Sequence, residues 1–195
     1  GNTTGMIVEC VGVDHEGDPV TIVTHWAATA PAGVVDEGEV ARRAIAQLQL
    51  APITIGMAPP PLEEPNVLIH VPAYFWAEGG AQAIGPLDST VTQDGMTVSL
   101  QASLTSVEFD TGDGATTVCD RSAVESKPKN MSLDGEPECG HIWEHSGAYT
   151  VTATSTWSIA WQGPTQAGTL THTLSETIAV GVTDRPVNLT TNKDR

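Results

Sequence analysis

The chain has few basic residues and no long apolar run, and each shortage excludes a class of function. Its 195 residues carry eight Lys and Arg against 24 Asp and Glu, for a formal net charge of −16. No cluster of basic residues is present, so binding to nucleic acid is not expected. No apolar stretch approaches the roughly 20 residues of a transmembrane helix, so direct membrane insertion is not expected either. The scattered acidic residues are typical of a solvated surface.

Cysteine is also scarce, and none of the three cysteines belongs to a CxxC pair that would indicate a zinc site. Cys119 and Cys139 bracket a polar loop with almost no apolar residues to hold it. Two buried thiols would fit there, but we predict a disulfide, which would contribute on the order of 3 kcal/mol. A disulfide predicts an oxidising compartment outside the cytoplasm.

Cys10 is left over from this pairing. It is predicted to be buried, to pair with a cysteine before Gly1, or to pair between two chains. The sequence begins GNTTG, without an initiator Met, a basic region or an apolar leader. We therefore expect any signal peptide to lie outside these residues, and we predict an extracellular or cell-envelope location.

Residues 149–162 alternate without a fault between two kinds of side chain, which is the pattern of a half-buried strand. One face has Tyr149, Val151, Ala153, Ser155, Trp157, Ile159 and Trp161, and the other has mostly Thr and Ser. Shorter alternating runs at 96–104, 107–109, 115–119 and 170–182 predict further strands around it. About seven strands with turns at this spacing predict an antiparallel β-sandwich of the immunoglobulin-like class.

The region before residue 83 has a different pattern. Residues 6–13 and 20–26 predict a hairpin, and residues 37–48 predict one helix with Asp36 as its N-cap. A strand at 52–56 and a proline-rich connector at 58–66 follow. We therefore predict a mainly β protein with three parts. Residues 1–82 form an N-terminal α+β extension packed on the sandwich, residues 83–182 the sandwich, and residues 183–195 a polar tail.

Two motifs resemble the polycystic kidney disease (PKD) domain. Residues 107–114, VEFDTGDG, are similar to the strand of that family that ends in a D-F-G-D-G-type turn. Residues 141–153, HIWEHSGAYTVTA, are similar to its H-x-Y…G-x-Y-x-V run. The resemblance covers residues 84–182. The whole chain also looks like a group of secreted actinobacterial proteins of unassigned role.

The resemblance implies a spacer or adhesion module, in which His141 bonds backbone near the DTGDG turn. The strand at 149–162 is longer than a standard PKD module needs. We therefore predict that Trp157, Ile159 and Trp161 leave the sandwich core and are covered by the N-terminal hairpin and helix.

Residues 141–145 spell H-x-x-E-H, a zinc-hydrolase pattern that requires a helix. In a strand, His141 and His145 would stand about 13 Å apart, too far for one zinc ion. No other catalytic constellation is present, so no enzyme activity and no cofactor are expected. Asp110 and Asp113 lie in one tight turn, where calcium is the candidate ion; their usual role there is to bond their own backbone.

These observations predict a non-enzymatic, extracytoplasmic structural or interaction module of the cell surface, whose partner is a protein or a cell-surface glycan. One alternative is a carbohydrate-binding module, which would expose Trp26, Trp76 or Trp143 as a flat platform. The other is a subunit of an extracellular filament or homo-oligomer, which Cys10 and the extra N-terminal strands would support.

Overall fold

The computed structural model describes residues 6–13, 19–27, 36–62, 65–93 and 95–184, with backbone alone for the first two ranges. The fold is mainly β, as predicted. The described strands are β1 (Met6–Val13), β2 (Pro19–Ala27), β3 (Thr54–Ala58), β4 (Val67–Leu68), β5 (Ala73–Glu78), β6 (Leu87–Gln93), β7 (Met96–Asp110), β8 (Thr116–Asp120), β9 (Gly140–His141), β10 (Gly147–Gln162) and β11 (Ala167–Thr183).

The predicted N-terminal hairpin is confirmed, because β1 and β2 pair antiparallel. The predicted helix is confirmed as α1 (Glu37–Ala44), which continues as a 3₁₀ turn (Ile45–Leu48). Asp36 caps it as expected, since its carboxylate accepts the backbone N–H of Gly38 at 2.9 Å. Single helical turns at α2 (Ala81–Ile84) and α3 (Arg121–Val124) were not predicted. No helix among the described residues is long and apolar enough to cross a membrane.

The long alternating strand lies inside a large sheet of order β4-β11-β10-β7-β6, in which β8 pairs with the far end of β7. The odd-numbered side chains of β10 from Val151 to Trp161 are buried, and the Thr and Ser side chains between them are more exposed. Strand β11 pairs with β10 from Ala167 to Val182 without a register shift. The sheet therefore has one core face and one open, Thr-rich face.

Strand β7 corrects one expectation, because the runs predicted as two strands at 96–104 and 107–109 form a single strand. Thr156 faces Ser106 and the next residue, Trp157, faces Leu104, so Thr105 is an extra residue in the ladder. This β-bulge shifts the buried positions from even to odd numbers and keeps Val107 and Phe109 in the core. The switch of the apolar residues from even to odd positions therefore marks a bulge within one strand and not the end of one strand and the start of another.

A second sheet, of order β3-β5-β9, covers part of the core face. Phe75 of β5 stacks on Phe109 of β7, with ring centroids 5.0 Å apart, and both rings are fully buried. Two of the three strands in this sheet precede residue 83, so the second layer of the sandwich is built from both predicted regions. One continuous hydrophobic core crosses the predicted boundary between residues 82 and 83.

The cover predicted over the far end of β10 is present in part, because α1 packs on Trp161. The prediction that Trp157, Ile159 and Trp161 leave the sandwich core is wrong, because all three belong to the same continuous core as the rest of the sheet. Trp157 is fully buried and Trp161 is 9% exposed. A Cβ built on Gly38 of α1 would lie 3.5 Å from the Trp161 ring, so the helix backbone packs directly on it. The side chains of the predicted covering hairpin lie outside the described residues, as does the tail from residue 185.

We expect Trp157→Ala to lower the free energy of unfolding by about 3–5 kcal/mol, because it removes the largest fully enclosed side chain of β10. Ser158→Ala, on the opposite face of the same strand, is the control and should change it by less than about 0.5 kcal/mol. Urea unfolding followed by tryptophan fluorescence and circular dichroism measures both. Equal losses would contradict the assigned faces of the sheet.

Candidate functional site

The turn after β7 is held by its own aspartates. Asp110 accepts the backbone N–H of Gly112 at 2.9 Å, and Asp113 accepts that of Ala115 at 3.2 Å. Gly112 has φ +79°, and a Cβ there would lie 2.6 Å from the carbonyl oxygen of Thr150. Only glycine fits this position, because the turn packs directly against the β10 backbone.

His141 joins this turn to the second sheet. Its Nε2 lies 2.7 Å from Oδ2 of Asp113, so the histidine bonds a side chain of the turn and not the backbone that was expected. Burial alone would raise the pKa of Asp113, but hydrogen bonds from Thr111, His141 and Ala115 outweigh it and lower that pKa. The turn, β9 and β7 are thereby connected through one carboxylate.

An aromatic cluster lies beneath this bond. The His141 ring meets the Trp143 ring edge-on at 4.9 Å, and Trp143 meets Phe75 edge-on at 6.2 Å. Trp143 is fully buried, with Tyr149 packed on its other side at 6.0 Å. The H-x-x-E-H run therefore does not form a helix: it begins at the end of β9, buries only Trp143 and then leaves the core. Glu144 and His145 are exposed beyond it.

No group of three or more His, Cys, Asp or Glu that could hold a metal ion occurs within the described part of the chain. Asp110 and Asp113, the calcium candidates, do lie in one turn as predicted. Oδ1 of Asp110 and both carboxylate oxygens of Asp113 accept hydrogen bonds from the protein itself. The turn is thus held by internal donors.

The disulfide predicted between Cys119 and Cys139 is present, with 5.6 Å between the two Cα atoms. Both residues are buried, and the carbonyl of Cys139 accepts the backbone N–H of Phe75 at 3.0 Å. The loop between them has one apolar anchor that the sequence reasoning missed, Val124 of α3, which is fully buried. Its tip is held by Tyr74, whose hydroxyl donates to Ser132 O at 2.9 Å and accepts the Ser132 N–H at 2.8 Å.

The loop also encloses an open cavity of about 470 Å³ beside the disulfide. Lys127 and Lys129 line it together with Glu136 and Glu138, so neither sign of charge dominates. The Lys127 ammonium lies 5.1 Å from the centroid of the Trp76 ring, a cation–π contact that fixes the loop base.

The carbohydrate-binding alternative requires an exposed tryptophan platform, but two of its three candidate tryptophans are buried. Trp76 is 5% exposed, and its indole N–H donates to Glu78 at 2.7 Å; Trp143 is fully buried. The side chains of Trp26 and Cys10 lie outside the described residues. The remaining two tryptophans, Trp157 and Trp161, face the core.

A second polar cluster, around Glu37, was missed by the sequence reasoning, which placed this residue only at the start of the predicted helix. Glu37 is 4% exposed and accepts hydrogen bonds from the turn between β10 and β11. Thr165 donates its backbone N–H at 3.1 Å and its hydroxyl at 2.6 Å, and the Gln166 N–H donates at 2.8 Å. A Cβ on Gly163 would collide with this carboxylate. Glu37 thus attaches α1 to the end of the large sheet.

The pKa of Glu37 reflects this geometry. Burial alone would raise it, but the hydrogen bonds from Thr165 and from the Gln166 backbone outweigh burial and lower the pKa.

The chain matches no protein-family model, no curated protein and no solved structure at a significant level. The PKD likeness therefore stays a prediction from two motifs.

We expect His141→Ala to lower the free energy of unfolding by about 1–3 kcal/mol, because it takes one donor from the Asp113 carboxylate. His145→Ala is the matched control from the same H-x-x-E-H run and should change it by less than about 0.5 kcal/mol. Chemical denaturation with and without EDTA makes the measurement. A midpoint that falls with EDTA, or equal losses in both variants, would contradict the structural role of this run.

For Glu37→Gln we expect a loss of about 1.5–3 kcal/mol at neutral pH, since charge-assisted hydrogen bonds to the turn disappear. The pKa of Glu37 is lower in the folded protein than its ordinary value of 4.5. Its stabilising effect is therefore complete above that value and is lost as pH falls through the folded pKa. The difference in free energy of unfolding between the wild type and this variant should therefore disappear at acidic pH.

Urea midpoints measured across the acidic range test this dependence, with the exposed Glu108→Gln as control. If the difference in urea midpoint between the wild type and Glu37→Gln stays constant down to the lowest pH at which the wild type folds, the charge of Glu37 is not what holds the turn.

Proposed function

We propose that the protein is a non-enzymatic structural or interaction module that works outside the cytoplasm, at the cell surface. One observation carries the proposal: the Asp and His that the sequence offers for chemistry, and the buried Glu37, are engaged in holding elements together. His141 and Asp113 connect the turn to the second sheet, and Glu37 connects α1 to the far turn. A reacting group needs a free lone pair or proton directed at a substrate, and these groups are directed at one another.

The disulfide supports the proposed location. It crosslinks a loop whose apolar contacts with the core are few, so the loop depends on an oxidising environment.

The PKD resemblance supports the proposed role, since the two motifs meet in space at the bond between His141 and Asp113. Spacer and adhesion modules of that family are the functional analogy.

The carbohydrate-binding alternative has weaker support, because Trp76 and Trp143 serve the core. Interaction with a protein is the better-supported form of the proposal. The sheet supplies two regular surfaces for it, the open Thr-rich face and the outer edge of β11.

Thiol trapping in fractionated source cells tests the location. Cells are quenched with an alkylating reagent, and the protein is analysed by mass spectrometry after cleavage. We expect the protein outside the cytoplasm, with Cys119 and Cys139 joined and unavailable to the reagent. A cytoplasmic protein with known free thiols controls for oxidation during lysis. Recovery from the cytoplasm with both cysteines alkylated would overturn the proposal.

A further inference from the structure

Strand β11 has an outer edge that the described part of the chain leaves largely unpaired. Among the described residues, β11 pairs with β10 on its inner side and, on its outer side, only with β4 at Val182 and Thr183. Every second residue of an edge strand directs its N–H and C=O groups outward. Residues 167–181 therefore offer a long, regular row of backbone donors and acceptors, with no bulge to interrupt it.

Most of the features that usually protect edge strands are missing from this edge. Residues 167–181 contain no Lys, no Pro and no bulge. Their one carboxylate, Glu176, is half-buried on the core side of the strand, and such an inward-pointing charge admits only a partner strand that offers it a complementary group. The opposite edge of the sheet differs, because it is divided between two short strands, β6 and β8, with Asp88 and Asp120 exposed on them. Of these two edges, the β11 edge is the one open to pairing over its length.

The side chains along β11 show that its core face is incompletely covered. Leu170, Leu174 and Ile178 point to the core side yet are only half-buried, whereas Val180 is buried. A cavity of about 330 Å³ lies beside His172 of the same strand, and Arg42 of α1 and residues in and just after the 3₁₀ turn line it as well. One more strand at this edge would place side chains over this uncovered apolar surface.

The sequence of β11 is complementary to itself, and this identifies the added strand. Residues 170–178 read LTHTLSETI, a pattern that is symmetric about Leu174. We propose that two copies of the chain pair antiparallel through β11, about a two-fold axis at Leu174. Leu170 then faces Ile178 of the partner subunit, and His172 faces Glu176 of the partner subunit. The six-stranded sheets of two copies become one continuous sheet.

Backbone geometry restricts the register. Paired residues on two antiparallel strands must both point their backbone groups toward each other or both away, so the axis must pass through a residue and not between two residues. An axis at Thr173 sets Leu170 against Glu176 of the partner subunit, and an axis at Glu176 sets two carboxylates together. The axis at Leu174 alone matches apolar with apolar and His with Glu.

The same arrangement does not exist within one chain. His172 and Glu176 are four residues apart on a strand, which separates them by about 13 Å. Their complementarity is therefore usable only between two strands. The net charge of −16 opposes association at long range, and physiological salt screens that repulsion within about 8 Å. The inference goes beyond the proposed function and does not rest on it, since pairing requires only the folded chain.

Single-cysteine crosslinking tests the axis. Cys10→Ser supplies the background, and Leu174→Cys is compared with Leu170→Cys. The two residues at position 174 would be opposed, with Cβ atoms about 5 Å apart, whereas two residues at position 170 would be about 26 Å apart. Oxidation at physiological salt should give a covalent dimer with Leu174→Cys and none with Leu170→Cys. Crosslinking of both variants, or of neither, would overturn the inference.

Charge exchange tests the register independently. His172→Glu places two carboxylates opposite one another, and Glu176→Lys removes the acceptor that faces His172 and puts a cation in its place; each change occurs twice in the dimer because of its symmetry. Sedimentation equilibrium should show the dimer weakened about tenfold in each single variant. The double variant H172E/E176K should recover it, because Glu then faces Lys across the axis.

Unfolding midpoints of all three variants confirm that each one folds. If the single variants weaken the dimer and the double variant does not restore its affinity, the register is overturned. A wild-type chain that sediments as a monomer at every concentration would overturn the dimer itself, while leaving the proposed extracytoplasmic role in place.

Discussion

The structure depends on one constraint: a sheet of three long strands buries a single face, and that face must be covered along its whole length. Strands β7, β10 and β11 extend well beyond the five or six residues of a typical strand. One small sheet cannot cover so long a surface. The cover is therefore composite, with the β3-β5-β9 sheet at one end and α1 with its 3₁₀ turn at the other. Residues 36–62 and 65–82 thus contribute to the core and are not an attachment to it.

Two polar connections hold this composite cover in place, one near each end of the large sheet. The bond between Asp113 and His141 joins the β7 turn to the second sheet, and Glu37 joins α1 to the turn at residues 163–166. Glu37 is buried and Asp113 is partly exposed, but both carboxylates receive several donors, which is why their pKa values fall despite the desolvation that would raise them. Asp113 and His141, which the sequence offered as candidates for chemistry, and Glu37, which it did not, fix the geometry of the cover. The edge of β11 marks where that cover ends.

The sequence predicted the local features well and the non-local ones poorly, for a physical reason. Strict alternation identified β10 and its buried face, and the spacing of polar residues identified the disulfide loop. The bulge at Thr105 was missed, because a shift in the alternation of apolar residues looks the same as the end of a strand until the pairing with β10 is known. The role of Glu37 was missed because its partner lies 128 positions away. Strands β3 and β5 have no clear period, so their place in the second layer depended on packing alone.

The central claim is that sheet and cover fold as one cooperative unit. Native-state hydrogen exchange in low denaturant, read residue by residue by NMR, tests it most directly. The amide of Phe75, bonded to Cys139, and the amides of β7 and β10 should exchange with one free energy, equal to that of global unfolding. Amides of β5 and α1 that exchange through a lower-energy opening, while β7 and β10 stay protected, would show that the cover is a separate unit and would contradict this account.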